Sequence, residues 1–223
     1  MPDGQYSFYL HSDDRTDIAA MATISIISQP LRGEFIRTAA TAGAVVYQVD
    51  ARLPALIPVF FAGQLSAVRL CAVMALVSGT WSSLTGLPDE PENGGAALPV
   101  SPETEYQRRR YTLTLQNGRS GERVESVLTE ASSRLRGDLL RNLIITGLAL
   151  HTTAPELPRL LASMPVPPTS VSELQALVQQ MAGTADVNRA AAAVPDTPAA
   201  SAAPVSGSDT REIKKNMRRA FGD

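Results

Sequence analysis

Polar and apolar residues alternate along Gln5–His11, with Tyr6, Phe8 and Leu10 on one side and Ser7, Tyr9 and His11 on the other. That period of two is the mark of a half-buried strand. Ser12-Asp13-Asp14 then supplies an N-cap and first-turn acids, which predicts a helix reaching about Ser28. Its buried side is expected to carry Ile18, Met21, Ala22 and part of 24–27. Pro30 and Gly33 mark a turn. Ile36, Ala39, Ala40, Gly43 and Tyr47 follow at steps of three and four, a second helix beginning near Gly33. Pro54 suits the first turn of a third helix, and a further apolar helix is expected over 64–77.

The same pattern returns. Arg32-Gly33-Glu34-Phe35-Ile36-Arg37 is matched, at an offset of 104, by Arg136-Gly137-Asp138-Leu139-Leu140-Arg141. Gly43 falls on Gly147 and Leu53-Pro54 on Leu157-Pro158 at that offset, whereas Tyr6-Ser7-Phe8-Tyr9-Leu10 falls on Tyr111-Thr112-Leu113-Thr114-Leu115 at 105. The change of one residue is what a loop-length difference between strand and helix leaves. An internal repeat outranks other signals in setting the fold. The second copy therefore predicts a strand over 111–116, with Thr112, Thr114 and Gln116 outward. A helix capped by Ser120 and reaching Leu135 comes next, then a helix opened by Arg136-Gly137, and short helices near 156–163 and 171–182.

Between and after the copies the composition changes. Residues 80–105 are rich in Gly, Pro, Ser and acids and read as a flexible linker. From 183 to 210 Ala, Pro, Ser, Thr and Gly dominate, too little apolar mass to offset ordering entropy, so disorder is expected. The last stretch, 211–223, places Ile213, Met217 and Phe221 at four-residue steps among five bases, a three-turn amphipathic helix. The units are thus 1–79, linker 80–105, 106–182, linker 183–210 and tail 211–223.

A chain of 223 residues with 44% hydrophobic but only 5% aromatic residues must build its core from Ala, Leu, Val and Ile, which suits helix packing. One cysteine, Cys71, precludes an intrachain disulfide and reads as a buried structural thiol. The net charge of −2 conceals five carboxylates and no base in 88–105, leaving the remainder at +3; the total neither favours nor opposes DNA. The apolar run 53–77 holds Pro54, Pro58 and Arg69, and two core helices explain it better than a membrane span. No secretory leader is evident at the start, and a cytoplasmic, nucleoid- or plasmid-associated protein is expected. His11 and His151 lie on different elements without a carboxylate at useful spacing, and no phosphate loop or metal cluster occurs; no enzyme and no cofactor is expected.

A lone strand ahead of two helices leaves its edge unpaired. Two copies solve this by pairing strand with strand in an antiparallel ribbon over packed helices, a shape that enters the DNA major groove. Ser7, Tyr9, His11, Thr112, Thr114 and Gln116 would then face the bases, although alternation alone also suits a strand with a merely solvated side. Gly33 and Gly137, at expected helix starts beside Arg32 and Arg136, are candidate phosphate contacts. Arg108-Arg109-Arg110 is a candidate backbone contact just ahead of the second strand.

Gly33-Glu34, Arg37-Thr-Ala-Ala-Thr-Ala-Gly-Ala-Val-Val-Tyr47 and Asp50-Ala-Arg-Leu-Pro54 resemble the ParR (StbB) plasmid partition family, over 31–57 and again over 136–161. The resemblance implies a mostly α fold with a short two-stranded antiparallel ribbon, here a tandem ribbon-helix-helix pseudo-dimer with helical caps. It implies binding to repeated centromere-like DNA, repression of the protein's own operon, and self-association along the DNA through the caps. The tail, Ile213-Lys214-Lys215-Asn216-Met217 with Phe221, resembles the segment that engages an actin-like ParM filament. Family members usually carry one unit per chain; this chain carries two units and one tail. The other reading of the same residues is a ribbon-helix-helix repressor or antitoxin whose tail binds a toxin.

Overall fold

The computed structural model describes residues 4–80 and 107–192. Residues 81–105 of the linker expected over 80–105, residues 193–210 of the disordered segment expected over 183–210, and the tail helix with its six candidate filament contacts lie outside the described residues. The chain divides into two units, Met1–Asn188 and Arg189–Asp223, and the fold below is that of the first. In chain order it comprises β1 (Gln5–His11), α1 (Arg15–Ile26), α2 (Gln29–Val49), α3 (Leu53–Phe60), α4 (Ala67–Ser78), β2 (Arg108–Thr114), α5 (Arg119–Glu130), α6 (Arg136–Thr153), α7 (Leu157–Ser163) and α8 (Val171–Ala192). The repeat is visible in the elements themselves: α5, α7 and α8 each begin 104 residues after α1, α3 and α4.

The two strands pair with each other, antiparallel, within one chain. Tyr6 faces Leu113, Ser7 faces Thr112 and Phe8 faces Tyr111. The ladder runs on in register at both ends, where Ser12 N–H donates to the Gln107 carbonyl (3.0 Å) and Leu115 N–H to that of Gly4 (3.3 Å). Ser7 and Thr112 are also the pair that the sequence offset of 105 relates to itself, so the pseudo-two-fold axis passes between them. Phe8 and Leu10 are fully buried beneath the ribbon, with Leu113 and Leu115 nearly so. The Phe8 ring stacks on Tyr111 at 5.3 Å. Each large apolar side chain buried this way stabilises by about 1.5–3 kcal/mol, which pins the register, because a one-residue slip would turn all of them outward.

Beneath the ribbon, α2 and α6 cross. A Cβ built on Gly43 would collide with the Leu143 backbone, and one on Gly147 with that of Ala39. Ala39 and Leu143 are themselves 104 apart, so this is one contact made twice about the axis. The approach explains both glycines. Around the crossing the helices are buried on every side, from Ala39 to Val46 and from Leu143 to Leu150. Both copies therefore share a single hydrophobic core and are not separate domains.

Several local expectations are corrected. The cap of α1 is Asp14, whose side chain accepts from the N–H groups of Thr16 and Asp17; Ser12 instead accepts from Gln107 N–H across the ribbon. The buried side of α1 is Asp17, Ala19, Ala20 and Ile24, with Ala22 exposed and Ile26 83% exposed. This helix is apolar nearly all round, so its periodicity carried no direction, and the buried Asp17 decides which side faces in. Helix α2 opens at Gln29 with Pro30 in its first turn, so Gly33 lies inside the helix; Pro30 starts the helix and marks no turn. The cap of α5 is Gly118, and Ser120 donates to the Ala162 carbonyl (3.3 Å) as Thr16, at the equivalent place, donates to that of Pro58 (3.1 Å). Helix α5 ends at Glu130, short of Leu135. Strand β2 starts three residues earlier than expected and takes in all three arginines, while Gln116 lies past its end. Helix α8 runs ten residues beyond 182, to Ala192; alanine's helix propensity outweighs the lack of apolar bulk there.

The apolar run 53–77 is broken as expected, into α3 and α4. No helix among the described residues is long and apolar enough to cross a membrane. Cys71 is buried, and burial pushes its thiol pKa up. Arg52 closes the first cap by donating to the Val77 carbonyl at the end of α4 (2.8 Å) while pairing with Asp50 (2.7 Å).

Candidate nucleic-acid interface

The pleat of the ribbon sends Gln5, Ser7, Tyr9 and His11 of β1 to the side away from the helices, together with Arg108, Arg110, Thr112 and Thr114 of β2. Ser7, Tyr9, His11, Thr112 and Thr114 thus meet on one surface, as expected from alternation. Gln116 does not join them. Gln5 shares the face, opposite Thr114, and its signal was the first step of the alternating run. Arg108 and Arg110 were placed ahead of the strand, because three arginines in a row show no alternation; in the structure they stand on its outward face.

These two arginines are held by their neighbours. The Arg108 guanidinium lies 3.5 Å over the Tyr9 ring, a cation–π contact worth about 0.5–1 kcal/mol when exposed. Arg110 donates to the Ser7 hydroxyl from Nη2 (2.9 Å) and Nε (3.2 Å). Both links run diagonally between strands, and they fix two flat, permanently charged donors on a two-stranded surface. Such forks match base edges and phosphates alike. Arg109 falls on the opposite parity, against Leu10 in the ladder and 5.3 Å from the Tyr111 ring.

Arg32 and Arg136 have a different neighbourhood from the one foreseen. Arg32 Nε donates to the Ile27 carbonyl (2.8 Å) and its Nη2 to that of Ser25 (3.1 Å), and Arg136 Nε donates to the Ala131 carbonyl (3.2 Å). The shared job is to satisfy the open carbonyls at the ends of α1 and α5. Gly137 sits in the first turn of α6, beside the Ser7 carbonyl of the ribbon, and Gly33 is exposed within α2.

At one end of the ribbon, a buried ion pair ties the copies together. Asp17 of α1 is fully buried. It accepts from His11 N–H (2.9 Å) and from Arg141 Nε of α6 (2.7 Å), while Arg141 also reaches Asp14 (3.2 Å). Burial raises the Asp17 pKa above the ordinary carboxylate value, against the lowering effects of the Arg141 and His11 hydrogen bonds. Nothing in the sequence pattern pointed to this pair, whose members are 124 residues apart. Among the described residues no group of His, Cys, Asp and Glu is placed to hold a metal ion.

Ribbon, crossing helices and caps, built twice and closed on each other, define a ribbon-helix-helix pseudo-dimer in a single polypeptide. The chain matches the model of the plasmid stability protein family over residues 4–74 and again over 109–178. Each match runs from the strand of one unit into its last helix, and the chain belongs to that family. Its role accordingly lies in plasmid maintenance. No curated protein and no solved structure matches the chain.

Proposed function

We propose that the protein is a plasmid-segregation adaptor: the ribbon binds repeated centromere-like sites in double-stranded DNA, and the C-terminal tail couples them to an actin-like ParM-type filament. The observation that carries the DNA half is the outward ribbon face, where Arg108 and Arg110 stand among Ser7, Tyr9, Thr112 and Thr114. A two-stranded ribbon fits the major groove, and a fixed guanidinium is the commonest reader of guanine. Binding at such sites also represses the operon that contains them. The filament half rests on the resemblance of Ile213, Lys214, Lys215, Asn216, Met217 and Phe221 to a helix-in-groove ligand. The protein performs no catalysis and needs no cofactor in this reading.

The test has two arms. In the first, fluorescence anisotropy on duplexes selected from a random library by the full chain measures affinity, and Arg110→Ala weakens it about 5- to 100-fold, the worth of one bidentate base contact. Unchanged affinity removes the ribbon face from the interface. In the second, the 211–223 peptide is co-sedimented with nucleotide-loaded filaments of the actin-like ATPase encoded beside the gene. Failure to co-sediment, with a small toxin encoded there instead, makes the protein a repressor or antitoxin.

A further inference from the structure

The pseudo-two-fold axis makes two grooves, one past each end of the ribbon, and equivalent positions line them. On the first flank Arg37 and Glu34 of α2 face the end of β2 and the start of α5 at Gly121; on the second, Arg141 and Asp138 of α6 face the end of β1 and α1 at Asp17. Arg37 and Arg141, Glu34 and Asp138, and Gly121 and Asp17 are each related by the offset of 104. The repeat has kept the frame and changed the charges. Where the second flank has the Asp17 carboxylate, the first has Gly121, with the Gln116 carbonyl packed so close that no Cβ fits.

The consequence for the two central arginines is direct. Arg141 is bound to fully buried Asp17 and to Asp14, so its charge is already neutralised inside the protein. Arg37 lacks a carboxylate at Gly121 and, among the described residues, pairs only with Glu34 (2.7 Å), whose side chain is 63% exposed. An incoming anion can displace that kind of surface pair but not the buried one. The wider surroundings lean the same way. Arg119 and Arg159 join Arg37 on the first flank, where the carboxylates are Glu34 in the groove and Glu156 beside Arg159 (3.8 Å), both in exposed pairs of the displaceable kind. The second flank sets Asp13, Asp14, Asp17 and Asp138 against Arg108, Arg134 and Arg141.

We infer that the reading head is one-sided: a DNA backbone phosphate is held in the groove of Arg37, Arg119 and Arg159, and none in the groove closed by Arg141 and Asp17. This rests on the DNA-binding reading above and deepens it, since it gives the pseudo-dimer a fixed polarity on its site.

The salt dependence of binding tests this, because each phosphate contact contributes close to one unit to the slope of log affinity against log salt. The probe is a fluorescein-labelled 24-bp duplex of mixed sequence, titrated with the full chain over a range of salt concentrations. Arg119, Arg159 and Arg134 are all exposed, so their replacement leaves the core intact, and thermal melts check this. Arg119→Gln combined with Arg159→Gln lowers the slope by at least about one unit, and Arg134→Gln on the second flank leaves it unchanged. An unchanged slope in the double variant, or an equal drop in Arg134→Gln, overturns the one-sided head while leaving DNA binding in place. Absence of any salt-dependent binding by the unaltered chain overturns the DNA reading itself.

Discussion

Asp17 joins the two copies through a charge taken out of water, and its energetics are those of a buried pair. Removing one partner of such a pair leaves the other uncompensated, so Asp17→Ala lowers stability by about 3 kcal/mol, read as an earlier denaturant midpoint. The pH dependence has a definite sign. Because burial holds the folded-state pKa of Asp17 above its unfolded value, the fold binds this proton more tightly than the unfolded chain does. The stability this group contributes is full below the ordinary carboxylate pKa and declines as pH rises through the raised value. Subtracting the stability-versus-pH curve of Asp17→Asn from that of the unaltered chain isolates the effect; a difference that grows with pH refutes it. Thr146 is a second buried polar residue, with its hydroxyl making no hydrogen bond. Its equivalent in the first copy is Ala42. Thr146→Val removes an unpaired hydroxyl at equal volume and is neutral or stabilising, by up to about 1 kcal/mol; a clear loss in thermal melts contradicts this.

Among the elements, the crossing of α2 and α6 depends on the missing side chains of Gly43 and Gly147. Replacing glycine by alanine inside a helix ordinarily stabilises by about 1 kcal/mol. Here the added methyl meets the backbone of the opposite helix, and overpacking of that kind costs about 3 kcal/mol. The clash wins, and Gly43→Ala or Gly147→Ala destabilises by about 2 kcal/mol in chemical denaturation. A stabilised variant would mean that the helices have room to part. Element by element, strands and helix pairs were legible wherever one side was polar and the other apolar, as in β1 and α5. Helix α1 was legible as a helix but not in its orientation, since apolar residues surround it. The start of β2 was hidden by three arginines, and the true start of α2 by a proline that opens helices as readily as it ends them.

For the whole molecule, the intrachain pairing of β1 with β2 supplies both strands of the ribbon from one polypeptide. Light scattering on the chain at low concentration is therefore expected to give a monomer, and under the proposed function that monomer is expected to be the species that shifts a single DNA site. A strict dimer at every concentration would contradict it. The bound sequence is expected to depart from a perfect palindrome, because Gln5, Ser7 and Tyr9 are answered across the axis, at the offset of 105, by Arg110, Thr112 and Thr114. Selection from a random duplex library measures that departure, and recovery of perfect palindromes would refute it.

The duplication and the strand-helix-helix order could both be read along the chain, because each is a local or periodic property that the residues carry wherever they sit. The partnership of Arg141 with Asp17, the capping of α1 and α5 by Arg32 and Arg136, and the promotion of Arg108 and Arg110 to the ribbon's face could not. An arginine side chain reaches far enough to serve several nearby carbonyls, carboxylates or rings, and its neighbours in space come from the other copy or the other end of a helix. Which of them it meets is settled only when the two halves of the chain close upon each other.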